Sequence, residues 1–93
     1  MKKVLLILTF SLVNSFAYDV DKEGKWWYIY NGNDVVGAYT DYYGNGYKMS
    51  CGDPNKSVYD NKYINKLGQT YIMDNVTTER VAKNTIISNC VKR

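Results

Sequence analysis

Cys51 and Cys90 are the only thiols in the chain, nine Asp and Glu are its only side-chain carboxylates, and it has no histidine. The missing imidazole removes Ser–His and Cys–His nucleophile pairs, histidine general-base catalysis near neutral pH and histidine-rich metal sites. If the two cysteines pair with each other, no thiol nucleophile is left either. What remains is a carboxylate pair of the glycosidase kind, drawn from Asp41, Asp53, Asp60, Asp74 and Glu79. Acids on turns and strand ends ordinarily face solvent, so no catalytic residue is assigned and the two-carboxylate hydrolase is the weakest of three functional readings.

Cofactor and metal signals are equally sparse, and none is expected. Gly44-Asn45-Gly46 lacks both the lysine and the following helix that a phosphate-cradling loop requires. Asp53-Pro54-Asn55 opens like a calcium loop, but the acidic spacing after it departs from the EF-hand pattern, which leaves a proline turn. The triplets Asn55-Lys56-Ser57 and Asn75-Val76-Thr77 fit an N-glycosylation acceptor, as chance matches in an asparagine-rich chain do.

The amino terminus places this chemistry in a compartment. Lys2 and Lys3 precede an apolar run from Val4 to Val13, and Ser15 and Ala17 supply small residues before a cleavage point. This is the layout of a secretory signal peptide over residues 1–17, of bacterial or phage type. The run is shorter than the roughly 20 apolar residues of a membrane span, and no later segment approaches that length. Residues 18–93 are therefore expected as a single β-rich domain, periplasmic or secreted, without a transmembrane segment. In an oxidising compartment a Cys51–Cys90 disulfide is the expected staple, contributing about 4 kcal/mol by constraining the unfolded chain.

Without the signal, the twelve basic residues lose Lys2 and Lys3, which leaves ten against nine acids. A balance so close to neutral, with lysines scattered among acids, offers no basic stripe for nucleic acid. Leu67 is then the sole leucine, while both tryptophans and all ten tyrosines remain. Aromatic rings, each able to bury ~150–250 Å², must stand in for the missing aliphatic core.

Those rings need strands to position them. Val, Ile, Thr, Tyr and Trp far outnumber the helix formers beyond residue 17, and turn signals fall at Asn31–Asp34, Gly44–Gly46, Gly52–Asn55 and Lys66–Gly68. The fold class is mainly β: a small antiparallel meander, sandwich or partly open barrel of about five to seven short strands. In the second half, 57–59 and 62–64 read as short strands and 69–73 as a clearer one. A short helix near residues 76–84, capped by Asp74 or Asn75, precedes either a last strand over 85–91 or a helix running to the end.

A two-residue type I′ turn at Asn45-Gly46 sets Tyr42 opposite Met49 and Thr40 opposite Cys51. The core face then collects Trp27, Ile29, Val36, Ala38, Tyr42, Met49 and Cys51. Its reverse collects Trp26, Tyr28, Tyr30, Val35, Tyr39 and Tyr43, ringed by Asp41, Lys48 and Ser50. Either the second half of the chain folds over this reverse face, or part of it is a recognition surface of Trp26, Tyr28, Tyr30, Tyr39, Tyr43 and Lys48, since such rings dominate interface hot spots. The expected partner is another protein, bound as by an inhibitor or immunity-type protein. The second reading is a peptidoglycan or glycan-binding module, in which Trp26, Tyr28 and Tyr39 stack on sugar rings. The outline of a small exported β protein with one disulfide is similar to that of periplasmic lysozyme inhibitors, immunity proteins and phage exclusion factors, a likeness that no motif carries.

Overall fold

A computed structural model describes residues 18–93; the expected signal peptide lies outside the described residues. Seven antiparallel strands and one helix follow in the order β1 (Tyr18–Glu23), β2 (Trp26–Asn31), β3 (Asp34–Asp41), β4 (Tyr47–Cys51), β5 (Tyr63–Asn65), β6 (Tyr71–Val76), α1 (Glu79–Asn89) and β7 (Cys90–Lys92). β1-β2-β3-β4-β6 form a five-stranded sheet, and β5-β7 a two-stranded ribbon. The mainly β fold with a single short helix is thus as expected from composition.

Two tight hairpins open the sheet. Glu23 pairs with Trp26 around Gly24-Lys25, and Asn31 with Asp34 around Gly32-Asn33. In each the first loop residue is a glycine at positive φ, +62° and +63°, as two-residue hairpins with glycine leading require.

The β3–β4 connection departs from the expected register. Asp41 pairs with Tyr47, Tyr39 with Met49 and Gly37 with Cys51, so the loop spans residues 42–46 rather than Asn45-Gly46 alone. It closes on itself, with Tyr42 N donating to Gly46 O and Asn45 N to Tyr42 O, both at 2.8 Å. A second irregularity offsets it: between β2 and β3 the register slips at Ile29/Tyr30, so that Tyr30 faces Val35, Ile29 faces Gly37, and Val36 is the extra residue of a bulge. One added residue on the β2 side and an odd-length loop on the β4 side invert the centre of β3 while leaving β2 and β4 on their expected faces.

Gly37, Tyr39, Met49, Cys51 and Ile29 therefore share the covered face. Ala38, expected in that core, turns to the other side, and Tyr42, expected there too, is exposed on the loop. Val36 remains in the core through the bulge. Tyr39, expected on the reverse face, is 4% exposed. Its ring stacks on Trp27 with centroids 6.1 Å apart and meets Tyr47 edge-on at 5.8 Å.

The helix covers this face. Thr78 caps it by accepting from Val81 N at 3.2 Å, and Glu79 lies in the first turn, where a carboxylate complements the helix dipole. Neither Asp74 nor Asn75 caps it, because β6 runs through both and pairs with β4. Of the strand expected over 85–91, residues 85–89 belong to the helix instead and only Cys90 and Val91 are in a strand, β7: Ala82 and Ile86, four residues apart, are fully buried, and Cys90 follows the helix directly into its disulfide with Cys51. The i, i+4 spacing of a helix puts Ala82 and Ile86 on one face, where they are buried together. A side chain at Gly37 would collide with Ile86 and with the backbone of Ser50, so glycine is what lets the helix approach.

The segment between β4 and β5 is a loop rather than a strand at 57–59, with a 3-10 turn at Val58–Asp60. Buried Asn61 ties it together, its Oδ1 accepting from Asp53 N at 2.8 Å and its Nδ2 donating to Asp53 O and Ser57 O. Asp34 ion-pairs with Lys62 at 3.1 Å and Lys92 at 3.9 Å, linking the sheet to the ribbon. Among the described residues no helix is long and apolar enough to cross a membrane.

Candidate functional site

The helix and the ribbon both reach the core through Ile29, Tyr39, Met49 and Cys51, by way of Ala82, Ile86, Tyr63 and Cys90. They therefore lie on one side of the five-stranded sheet. The other side carries Trp26, Tyr28, Tyr30, Val35, Ala38, Thr40, Lys48, Ser50 and Tyr71, together with Asp19, Asp21 and Glu23 of β1. No described helix or strand is stacked on it. The 52–61 loop touches its margin, where Asn55 Nδ2 donates to Tyr28 Oη at 3.0 Å.

Its floor is made of small residues whose polar groups are paired. Ala38 and Ser50 sit side by side between Tyr28 and Tyr71 in the ladder, and all but Tyr71 are buried. Thr40 Oγ1 donates to Lys25 O at 2.6 Å, and Ser50 Oγ to Gly52 O. Partner polar groups thus meet no unpaired buried donor in this floor.

The rim has two ends of different character. At one, Asp19, Asp21, Tyr30 and Asn33 line a groove of about 260 Å³. The Tyr30 phenol is pushed above its ordinary value of 10.0 by burial first, then by Glu23, Asp21 and Asp53. Burial and Asp53 raise Tyr28 likewise. Both phenols are therefore neutral hydrogen-bond donors at physiological pH, in a negative field.

At the other end, Trp26, Tyr42, Tyr43 and Lys48 line a groove of about 190 Å³ with Lys25 and Asp41. Lys48 Nζ lies 5.3 Å from the Tyr42 ring centroid. Tyr43 stands at the loop tip, 88% exposed, at φ +52°.

Of the six residues expected to form a binding surface, Trp26, Tyr43 and Lys48 come together in one groove. Tyr30 stands at the opposite end, and Tyr28 lies between them but is buried. Tyr39 belongs to the core and is withdrawn from the surface. Asp19, Asp21 and Glu23 were not among the expected surface residues. Their signal is the alternation of Tyr18 and Val20 with Asp19, Asp21 and Glu23, a period of two that ends at Gly24.

Two of the carboxylates considered for hydrolysis, Asp53 and Asp60, are engaged otherwise. Asp53 and Asp60 line one shallow groove, but Asp53 Oδ1 accepts from Asn55 N and Asp60 Oδ2 from Ser57 Oγ, both turn-forming contacts. Among the described residues no three His, Cys, Asp or Glu gather closely enough to hold a metal ion, and no cysteine is free. No protein-family model, curated protein or solved structure matches the chain.

Proposed function

We propose that this chain is an exported, non-enzymatic protein that binds another protein through the open face of its sheet, in the manner of an inhibitor or immunity-type protein. The observation that carries this reading is Tyr43. A non-glycine residue in the left-handed region costs about 1–3 kcal/mol, yet a bulky ring is held there almost wholly in solvent. Among the described residues the one ring contact set against that cost is an edge-on meeting with the neighbouring, itself exposed Tyr42, centroids 5.2 Å apart. An interface gains from that placement, because a rigid aromatic anchor beside Trp26, Tyr42 and Lys48 has the make-up of a hot spot.

Export is supported by the Cys51–Cys90 disulfide, a bond that persists in oxidising compartments, together with the signal-like amino terminus. A non-enzymatic role is supported by the bonded cysteines, the missing histidine and the structural engagement of Asp53 and Asp60. Trp26→Ala and Tyr43→Ala should each abolish capture of the protein's partner from the periplasm of its host while leaving thermal unfolding nearly unchanged. Retention of every partner by both folded variants would sink the idea. Co-sedimentation of the purified protein with peptidoglycan, lost in Trp26→Ala, would replace it with the glycan-binding reading.

A further inference from the structure

Resting on that reading, the charge pattern of β1 specifies what the partner presents. Among the described residues β1 is the outer strand of the five-stranded sheet and pairs on one side only, with β2. Asp19, Asp21 and Glu23 take alternate positions on the open face, opposite Tyr30, Tyr28 and Trp26 respectively. All three acids are exposed, and none forms an ion pair among the described residues. Lys22, the cation within the strand, faces the covered side, where its Nζ lies 5.2 Å from the Trp27 ring centroid. Lys25 and Lys48 belong to the groove beyond Trp26. Nothing within β1 neutralises the row.

Alternate strand residues stand ~6.6 Å apart, so the three carboxylates span roughly 13 Å. That spread suits a row of separate cations rather than one metal ion. At the two ends the rings opposite, Tyr30 and Trp26, are partly exposed, so carboxylate and ring form a seat for a guanidinium or ammonium group. In the middle Tyr28 is buried, and Asp21 alone is offered. Strands lie about 4.8 Å apart, so a long basic side chain on an added strand meets the carboxylate first and the ring of β2 behind it. A second copy of this chain does not fit, because antiparallel β1–β1 pairing sets acids against acids.

We propose that the free edge of β1 captures an extended segment of the partner protein bearing Arg or Lys at alternate positions. Its backbone ladders onto β1, and its cations seat on Asp19–Tyr30, Asp21 and Glu23–Trp26. This is strand addition to a sheet edge, with the ladder supplying affinity and the alternate side chains supplying selectivity.

The test titrates the purified, disulfide-bonded protein with a nine-residue peptide alternating Thr and Arg, and with an isomer whose arginines form one block. Amide shifts and hydrogen exchange are followed by NMR. The alternating peptide should bind about tenfold or more tightly than its isomer and protect amides of Asp19–Glu23 from exchange. The Asp19→Asn/Asp21→Asn/Glu23→Gln variant, its fold checked by unchanged shifts of Ile29, Met49 and Ile86, should lose about tenfold or more. Equal affinity for the two isomers, or unaltered binding by the triple variant, overturns the inference. A natural partner lost in Trp26→Ala and Tyr43→Ala but kept by the triple variant also overturns it while the binding function stands. A partner kept by all three variants overturns both.

Discussion

The two faces of one sheet use the same residue types to opposite ends. On the covered face Trp27, Tyr39 and Tyr47 pack ring on ring beneath a helix, and the aliphatic residues Ile29 and Ile86 are completely buried. On the open face no described helix or strand is stacked over Trp26 and Tyr30, which stay partly exposed, while Tyr28 between them is buried and meets Asn55 of the 52–61 loop, and Tyr43 projects from the rim. The covered rings are locked by neighbours from several elements. The open ones are held mainly by their own strands and by hydrogen bonds such as Asn55 to Tyr28. In a chain poor in leucine, rings serve as core beneath the helix, and on the other face Trp26, Tyr30 and Tyr43 remain available for contact while Tyr28 is buried.

The sharpest way to break that contrast is to remove what clamps the covering layer. Replacing both Cys51 and Cys90 with alanine should cost about 4 kcal/mol in urea unfolding. A loss this large is expected because α1 leads directly into Cys90 and the bond fixes its end to β4.

Ile86→Ala should cost about 2–5 kcal/mol, whereas Lys48→Ala on the open face should stay within about 0.5 kcal/mol. Equal losses would mean that the two faces share one structural role.

Asn61→Ala should cost about 1–3 kcal/mol, since it leaves Asp53 N–H and two carbonyls without their partner in a buried site. Chemical denaturation read by tryptophan fluorescence checks this. The amides of residues 53–60 should then exchange faster while those of β2 do not.

Tyr43→Gly should stabilise the fold by about 1 kcal/mol, because glycine adopts positive φ without penalty, and should weaken partner binding. Gain in stability with loss of binding is the signature of a residue kept for contact.

The smallest effect is with pH. Tyr28, Tyr30, Tyr39 and Tyr47 all have phenols raised above 10.0, burial being the first cause in each. For a group with a raised folded value, stability is fully present below the unfolded value and is lost as pH climbs through the folded one. Melting temperature should hold steady to about pH 10 and fall beyond it. Tyr39→Phe should soften that fall, whereas a fall that begins well below pH 9 would point to another group.

Much of the fold is legible in the sequence, and the departures within the sheet share one origin. Trp27 and Ile29 on one side with Trp26, Tyr28 and Tyr30 on the other follow from strand alternation in β2, and Met49 and Cys51 against Lys48 and Ser50 follow likewise in β4. Only β3 between them was inverted. Its bulge at Val36 and its five-residue loop each shift the register by an odd number, so the errors cancel at β4 and leave no trace in the alternation of the flanking strands. Tyr39 lies on the covered face rather than the expected reverse face for that reason alone. The helix is legible in kind but not in extent: the apolar residues of 85–91 come in adjacent pairs, Ile86-Ile87 and Cys90-Val91, and only the packed structure shows Ala82 and Ile86 sharing one buried helical face.

Composition and local pattern alone determined the β class, the turns at glycine and asparagine, the pairing of the two cysteines and the absence of histidine chemistry, because each depends on residue type or near neighbours in the chain. Tertiary structure decided which rings are core and which are surface, and it brought Asp19, Asp21 and Glu23 into line with Tyr30, Tyr28 and Trp26. Those outcomes depend on register and on where the helix settles. Register is chosen by the sum of distant contacts, here Gly37 beneath Ile86 and Cys51 bonded to Cys90, and no single segment contains that sum.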